Sequence, residues 1–330
     1  MAKKDTTVRE FHLFAGIGGG IYGGELLGHH CVGGVEINDF CKNVLRQRQE
    51  DKWMDEFPIF DDVTKLCGAE FVDKFDILCG GFPCQAFSHA AHGNNIPEKN
   101  LWGEMRRFAI ESEAPVVFAE NVTVKAIDKA KSDLEELGYK VERCRVSCEN
   151  VGADHRRNRF WLMAVRDNDR FIDIAEKIIT QPKTMANCWT LSPIEIQYPA
   201  NDELIRKSQL CAIGNAQSPI AAAVAFRVLV MRHLLGKYHA EEASQKEIDN
   251  VFERKTTWIK ENYGMKVTLH TPTTMANYHC ESMQKHISCR YYSHIFGRPM
   301  PKDAEYLMGF PIGASSPNPM PIENFEIWNK

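Results

Sequence analysis

The chain has 330 residues, 44% of them hydrophobic and 25% charged, enough for one large domain and a smaller one around a full core. A formal net charge of −4 excludes a protein held to nucleic acid by its overall charge, while leaving a local basic face open. The most apolar run, "PIAAAVAFRVLVMRHLL", is interrupted by Arg227 and Arg232 and reads as a buried helix, not a bilayer span.

In chain order, "MAKKDTTVRE" has no signal-like apolar core, and "REFHLFAG" is a strand ending in a glycine cluster. "HCVGGVEIN" is a second strand, followed by the helix "DFCKNVLRQRQ" with Asp39 as its expected N-cap. "KFDILCGGFP" and "APVVFAENV" are short apolar strands that stop at polar loops. "DKAKSDLEELG" is an amphipathic helix closed by Gly138, and "YKVERCRVS" and "RFWLMAVR" are late strands. Apolar strands alternating with helices imply a mostly parallel sheet covered on both faces, with ligands at the strands' carboxyl ends. Beyond residue 166 come a short helix, "FIDIAEKIIT", and the loop-rich "QPKTMANCWTLSPIEIQYPAND". A long helix follows with Pro219 in its first turn, then a charged helix ending at Gly264. The tail from 265 to 330 shows no clear period.

Eleven scattered cysteines outline no disulfide framework and point to a reducing cytoplasm. Most read as small core residues; Cys144 and Cys148, an even number apart, would share one face. Cys84 is different. It follows Pro83, which fixes the backbone, and Gly80 and Gly81, which allow a substrate to approach. A thiolate is a strong nucleophile once activated, and a lone loop cysteine is usually inert. Glu120, at the end of the following strand, could protonate a ring nitrogen while the thiolate attacks the ring; the bland alternative is a cap. Arg157 and Arg159 alternate onto one face and suit phosphate or base contacts, or else form a solvated surface cluster. The turn through Gly16, Gly18, Gly19 and Gly20 is compatible with a purely structural turn or with a nucleoside site. Glu36, about twenty residues on, favours the nucleoside with a free ribose.

In this order, "FAGIGG", "VEIN", "DDV", "GGFPCQAFS", "FAENV", "HRRNR" and "GNAQSP" resemble the ordered motifs of the cytosine-C5 DNA methyltransferases, over residues 10 to 235. The resemblance implies a Rossmann-like class I methyltransferase: an α/β fold with a mixed, mostly parallel sheet, helices on both faces and a small irregular recognition region. It implies S-adenosyl-L-methionine as cofactor, held by Phe14, Gly16, Gly18 and Glu36, with Asp62 at the adenine and Asn215 near the methionine end. Cys84 would be the nucleophile, Glu120 the acid at cytosine N3, and Arg157 and Arg159 would orient a base flipped out of the duplex. The implied partner is double-stranded DNA, met by a monomer away from any membrane.

The chain departs from the family pattern at Asp154 and His155, and at Gln217 and Ser218, where apolar residues or proline are common. Few residues separate "RFWLMA" from "GNAQ", and the tail carries "AEYLMGFP", similar to a late element of phage-type enzymes. Residues 1–167 and 206–238 are therefore expected to form the catalytic domain, and 168–205 with 239–330 the recognition region. Other readings are a catalytically silent DNA binder, an RNA methyltransferase, a nucleotide-modifying enzyme of the thymidylate-synthase type, and use of a modified donor. No metal is expected: His279, Cys280, His286, Cys289 and His294 match no regular zinc spacing.

Overall fold

The computed structural model describes residues 7–83, 101–153, 155–180, 203–235, 269–270 and 301–329. Its centre is a seven-stranded sheet. The strands are β1 (Arg9–Leu13), β2 (His30–Val35), β3 (Ile59–Phe60), β4 (Ile77–Gly81), β5 (Val116–Asn121), β6 (Lys140–Ser147) and β8 (Asn158–Val165), in the order β3-β2-β1-β4-β5-β8-β6. Every pairing is parallel except those of β8, which runs antiparallel to both neighbours. The short β7 (His155–Arg156) pairs in parallel with β9 (Leu269–His270) in a separate ribbon. The mostly parallel sheet expected from the strand–helix alternation is the one observed.

Alternation along the strands splits the core into two. On one face Phe11, Leu13, Leu78, Val117 and Ala119 pack against α3 (Trp102–Glu111) and α4 (Val124–Glu136). On the other, Ile77, Cys79, Val116 and Phe118 meet α1 (Gly19–Leu26), α2 (Asp39–Glu50), α5 (Asn168–Thr180) and α7 (Pro219–Leu235). A strand buried on both faces has no polar side to alternate, which is why β5, "VVFAEN", reads as a continuous run. Cys144 and Cys148 lie in the same core, although Cys148 sits in the 3-10 turn that follows β6 and not on the strand itself. The apolar stretch Ile205–Leu234 is long enough to cross a membrane by length and composition, and 78% of its most apolar window is buried in the protein.

Two local readings are corrected. The cap of α2 is Asn38, not Asp39: Asn38 is extended and its side chain accepts from the Cys41 N–H at 3.1 Å. Asp39 is the first helical residue and pairs with Lys42. The tail is not without order either. It forms α8 (Pro301–Met308) and α9 (Ile322–Asn329), and Leu307, Met308, Phe310, Phe325 and Trp328 join the same core as α1 and α7. Its anchor is Arg48 on α2, fully buried, which donates to the carbonyls of Gly313 (3.0 Å) and Asn318 (2.5 Å), pairs with Asp51 and lies over Trp53. Residues 301–329 thus pack with the body of the fold, although the sequence reading grouped them with the recognition region. The charged helix ending at Gly264 and the histidine–cysteine cluster at 279–294 lie outside the described residues.

Candidate active site

The carboxyl ends of β1, β4 and β5 converge on one pocket. After Leu13 the chain turns sharply: Phe14 and Gly16 both have positive φ (57° and 56°), and Gly18, at φ 86°, is the N-cap of α1. A positive φ at a phenylalanine is an uncommon conformation for a residue of its size, and such strain gathers at functional turns. A side chain added at Gly16 would meet no atom within 4 Å, so this face of the turn is open. One at Gly18 would strike Met54 at 2.5 Å, and Gly18 therefore serves the turn and the helix start rather than the pocket.

The pocket has a volume of about 380 Å³, including its open mouth, and is lined by Phe14, Gly16, Gly81, Glu120, Asn215 and Gln217 among others. Four of the sequence-predicted residues, Phe14, Gly16, Glu120 and Asn215, thus share one wall system. Glu36, at the end of β2, is half-buried and accepts from the Gly16 N–H (2.7 Å) and the Asn38 N–H (2.8 Å). These bonds fix the carboxylate and leave a lone pair on each oxygen for further donors. Ile37, 72% exposed, offers an apolar face directly beyond it, a feature the sequence reading did not single out. Asp62 follows β3 and caps a short 3-10 turn, accepting from both the N–H and the hydroxyl of Thr64, which hold its carboxyl below the usual range. It and Gly18 do not line the pocket.

Glu120 is 7% exposed and pairs in register with Gly81 on β4. Burial raises its pKa, and the charges of Arg159 and Arg157 and the Gln217 amide offset only part of that. Arg159 Nε lies 3.0 Å from Glu120 Oε1, yet that oxygen has no aligned hydrogen bond among the described residues. The carboxyl is therefore held by charge from one side and left with an open acceptor, an arrangement suited to passing a proton. Arg157, which the sequence placed on the same face, is buried and donates from Nη2 to the carbonyls of Gly214 and Ala216, both at 2.9 Å. It braces the loop that carries Asn215, and burial brings its own pKa down to about 10. Asn215 itself is exposed, its amide directed at Cys211 Sγ at 3.7 Å.

Cys84 lies outside the described residues; the segment leading to it does not. Gly81 adjoins Glu120, and the buried Asn121 donates from Nδ2 to the Phe82 carbonyl at 2.9 Å. The residue after Glu120 thus ties β5 to the backbone two residues before the cysteine. Sequence reasoning missed Asn121, Gln217 and His12 in this site. The signal for Gln217 was its departure from the family pattern, and for Asn121 its place in "FAENV"; His12, within "REFHLFAG", reads only as a strand residue.

Residues 8–311 match the family model described as "C-5 cytosine-specific DNA methylase". The chain is 33% identical over 180 residues to the type II methyltransferase M.MspI of Moraxella sp, covering 49% of this chain and 40% of the relative. It is 32% identical over 166 residues to M.CviJI of Paramecium bursaria Chlorella virus IL3A (48% and 43%). To M.HhaI of Haemophilus parahaemolyticus it is 27% identical over 175 residues (50% and 51%). The chain therefore spans about half, or less, of the length of these relatives. With the match running across nearly all of the chain, with the glycine turn and Glu120 in one pocket and with Arg159 paired to Glu120, this chain belongs to the C-5 cytosine-specific DNA methylase family.

Proposed function

We propose that the protein is an S-adenosylmethionine-dependent DNA cytosine-C5 methyltransferase, with Cys84 as nucleophile and Glu120 as acid. One observation carries the reading. The glycine turn and the Glu120 carboxyl face a common pocket, and the strand that runs on to Cys84 forms its third side. The open face at Gly16, the fixed Glu36 carboxylate and exposed Ile37 fit a nucleoside at the β1–β2 end, with ribose hydroxyls on Glu36 and Asp62 toward the base. Bound there, S-adenosylmethionine would supply an electrophilic methyl group on a sulfonium.

The chain's own residues do the activation. Cytosine C5 is a poor nucleophile, so the Cys84 thiolate adds to C6 while Glu120 delivers a proton to N3. The electron pair released into the ring makes C5 enamine-like and able to take a methyl group. A base then takes the C5 proton, the thiolate leaves C6, and N3 returns its proton to the Glu120 carboxylate, which restores both the aromatic ring and the acid. A stacked base cannot offer C6 to a thiol, so the target nucleotide must leave the duplex, at a cost of a few kcal/mol. Arg159 fixes the Glu120 carboxyl, and Arg157 supports it through the Gly214–Ala216 loop.

Transfer of a labelled methyl group to double-stranded DNA tests the proposal. Wild-type protein labels cytosine C5, and Cys84→Ser reduces the rate by about 10⁴-fold or more. Label entering tRNA and not DNA, or equal rates for wild type and mutant, would remove the assignment. Mass spectrometry of the product identifies the alkyl group moved.

A further inference from the structure

Beneath the glycine turn, three side chains of metal-ligating type meet on one face of the sheet. Glu10 and His12 are two residues apart on β1 and so face the same way, and Cys79 on β4 is the in-register neighbour of His12. All three are buried. One donor atom from each (a carboxylate oxygen, a ring nitrogen and the thiol sulfur) lies within 4.8 Å of the other two. They line a cavity of about 250 Å³, including its mouth, together with Phe118, Phe226 and Gln217.

Helix α1 is shaped around this cluster. Gly20 and Gly24 are one turn apart on it: a side chain at Gly24 would collide with the Glu10 carboxylate, and one at Gly20 would lie 3.2 Å from the His12 ring and 2.6 Å from Gln217 Oε1. Glu10 is also gripped from its far side, Oε1 lying 2.6 Å from Nδ1 of buried His29, while Oε2 lies 2.8 Å from His12 Nε2. His29 Nε2 has no hydrogen-bond partner among the described residues, so the ring is oriented through Glu10. An outer histidine on a carboxylate is the kind of support that fixes a coordinating group in place. Charge and donor type then select the ion. A carboxylate, a thiolate and a neutral imidazole carry two negative charges, which a divalent cation cancels, so that no net charge is buried. The mixed oxygen, nitrogen and sulfur set suits zinc, whereas magnesium and calcium take oxygen ligands. Tetrahedral bonds of about 2.0–2.3 Å set neighbouring donors about 3.3–3.6 Å apart, so these groups reach coordination by shifts of about 1 Å.

We infer that Glu10, His12 and Cys79 bind one zinc ion, with His29 as an outer positioning residue that acts through Glu10. The inference is independent of the proposed methyl transfer. No sequence spacing marks the site, because Cys79 joins it from the neighbouring strand. The bound ion ties β1 to β4, and it stiffens a wall shared with the candidate active site, since His12, Gly20 and Gln217 line both cavities.

Cobalt titration of the full chain, first stripped of metal with a chelator, tests this, because cobalt enters zinc sites and reports a bound thiolate by a sulfur-to-metal charge-transfer band. The wild type should develop that band at one ion per chain, and zinc should displace it. Cys79→Ala should abolish the band, whereas the double variant Cys280→Ala, Cys289→Ala in the tail should keep it. His29→Gln leaves every ligand in place, so it should keep the band and weaken binding by about 10- to 100-fold. Zinc should also raise the melting temperature of the wild type and leave that of Cys79→Ala unmoved. A band that survives Cys79→Ala, one that disappears with the tail pair, or none in the wild type would overturn the inference. An unaltered affinity in His29→Gln would strike that residue from the site.

Discussion

Two glutamates sit at strand ends on the same rim of the sheet, and their surroundings could hardly differ more. Glu36, at the end of β2, is half-buried and has each oxygen on a backbone N–H, from Gly16 and Asn38. Glu120, near the end of β5, is buried, faces Arg159 across 3.0 Å and keeps an oxygen without an aligned hydrogen bond among the described residues. The first is a satisfied acceptor built for holding; the second is a carboxyl whose proton is made easy to keep and useful to give. Position in a parallel sheet brings both to the ligand side. Burial and partners then divide binding from chemistry.

Changing the two acids separates these roles, the larger effect on turnover coming from Glu120. Glu120→Gln keeps the shape but cannot deliver a proton, so methyl transfer should fall by roughly 10²–10⁴-fold while S-adenosylhomocysteine binding holds. Single-turnover assays with calorimetry check both halves. Glu36→Ala should do the reverse: cofactor affinity falls by about 10- to 100-fold, and the rate at saturating cofactor stays within a few-fold of wild type. Were both variants to lose binding and turnover alike, the division of labour between the rims would be broken.

The finest distinction concerns pH. Burial raises the Glu120 pKa, so its protonated form survives to higher pH than that of a free glutamic acid. A reaction that needs the protonated carboxyl loses kcat/KM as pH rises through that raised value. Gln217 Nε2, 3.5 Å from Glu120 Oε2, steadies the ionised form. Gln217→Met removes that contact, raises the Glu120 pKa further, and should move the alkaline fall of the pH–rate profile to higher pH. An unmoved or lowered limb would show that Gln217 does not act on this carboxyl.

Much of this contrast was legible before any coordinates. The run into "FAENV" marked a buried strand, Gly138 marked the end of α4 with its φ of 87°, and Pro219 opened α7 where a missing N–H costs nothing. What was hidden depends on contacts across the chain. Nothing in "RFWLMAVR" reveals that β8 runs against its neighbours, because hydrophobic pattern reports faces and not direction. The tail helices escaped notice because each is only eight residues long, and buried Asp303 and Glu305 interrupt the apolar period. Glu305 is held inside by the Gly313 N–H and the Ser315 N–H and hydroxyl, partners that lie eight and ten residues on. His12 reads as an ordinary strand residue until β1, α1 and the Gly214–Gln217 loop are brought together. The glycine turn and Glu120 were visible as types at the strands' carboxyl ends, and the pocket they share is the one that position implied.

The central claim is that the thiol at position 84 and the carboxyl at position 120 act on one cytosine. The most direct test uses duplex DNA with 5-fluorocytosine at the target, where fluorine at C5 blocks the elimination that would free the enzyme. Incubated with S-adenosylmethionine and digested, the wild-type protein should yield a nucleotide adduct on the peptide containing Cys84, and Glu120→Gln should form it far more slowly. An adduct on a different cysteine, or none from folded protein that binds the cofactor, would contradict the account.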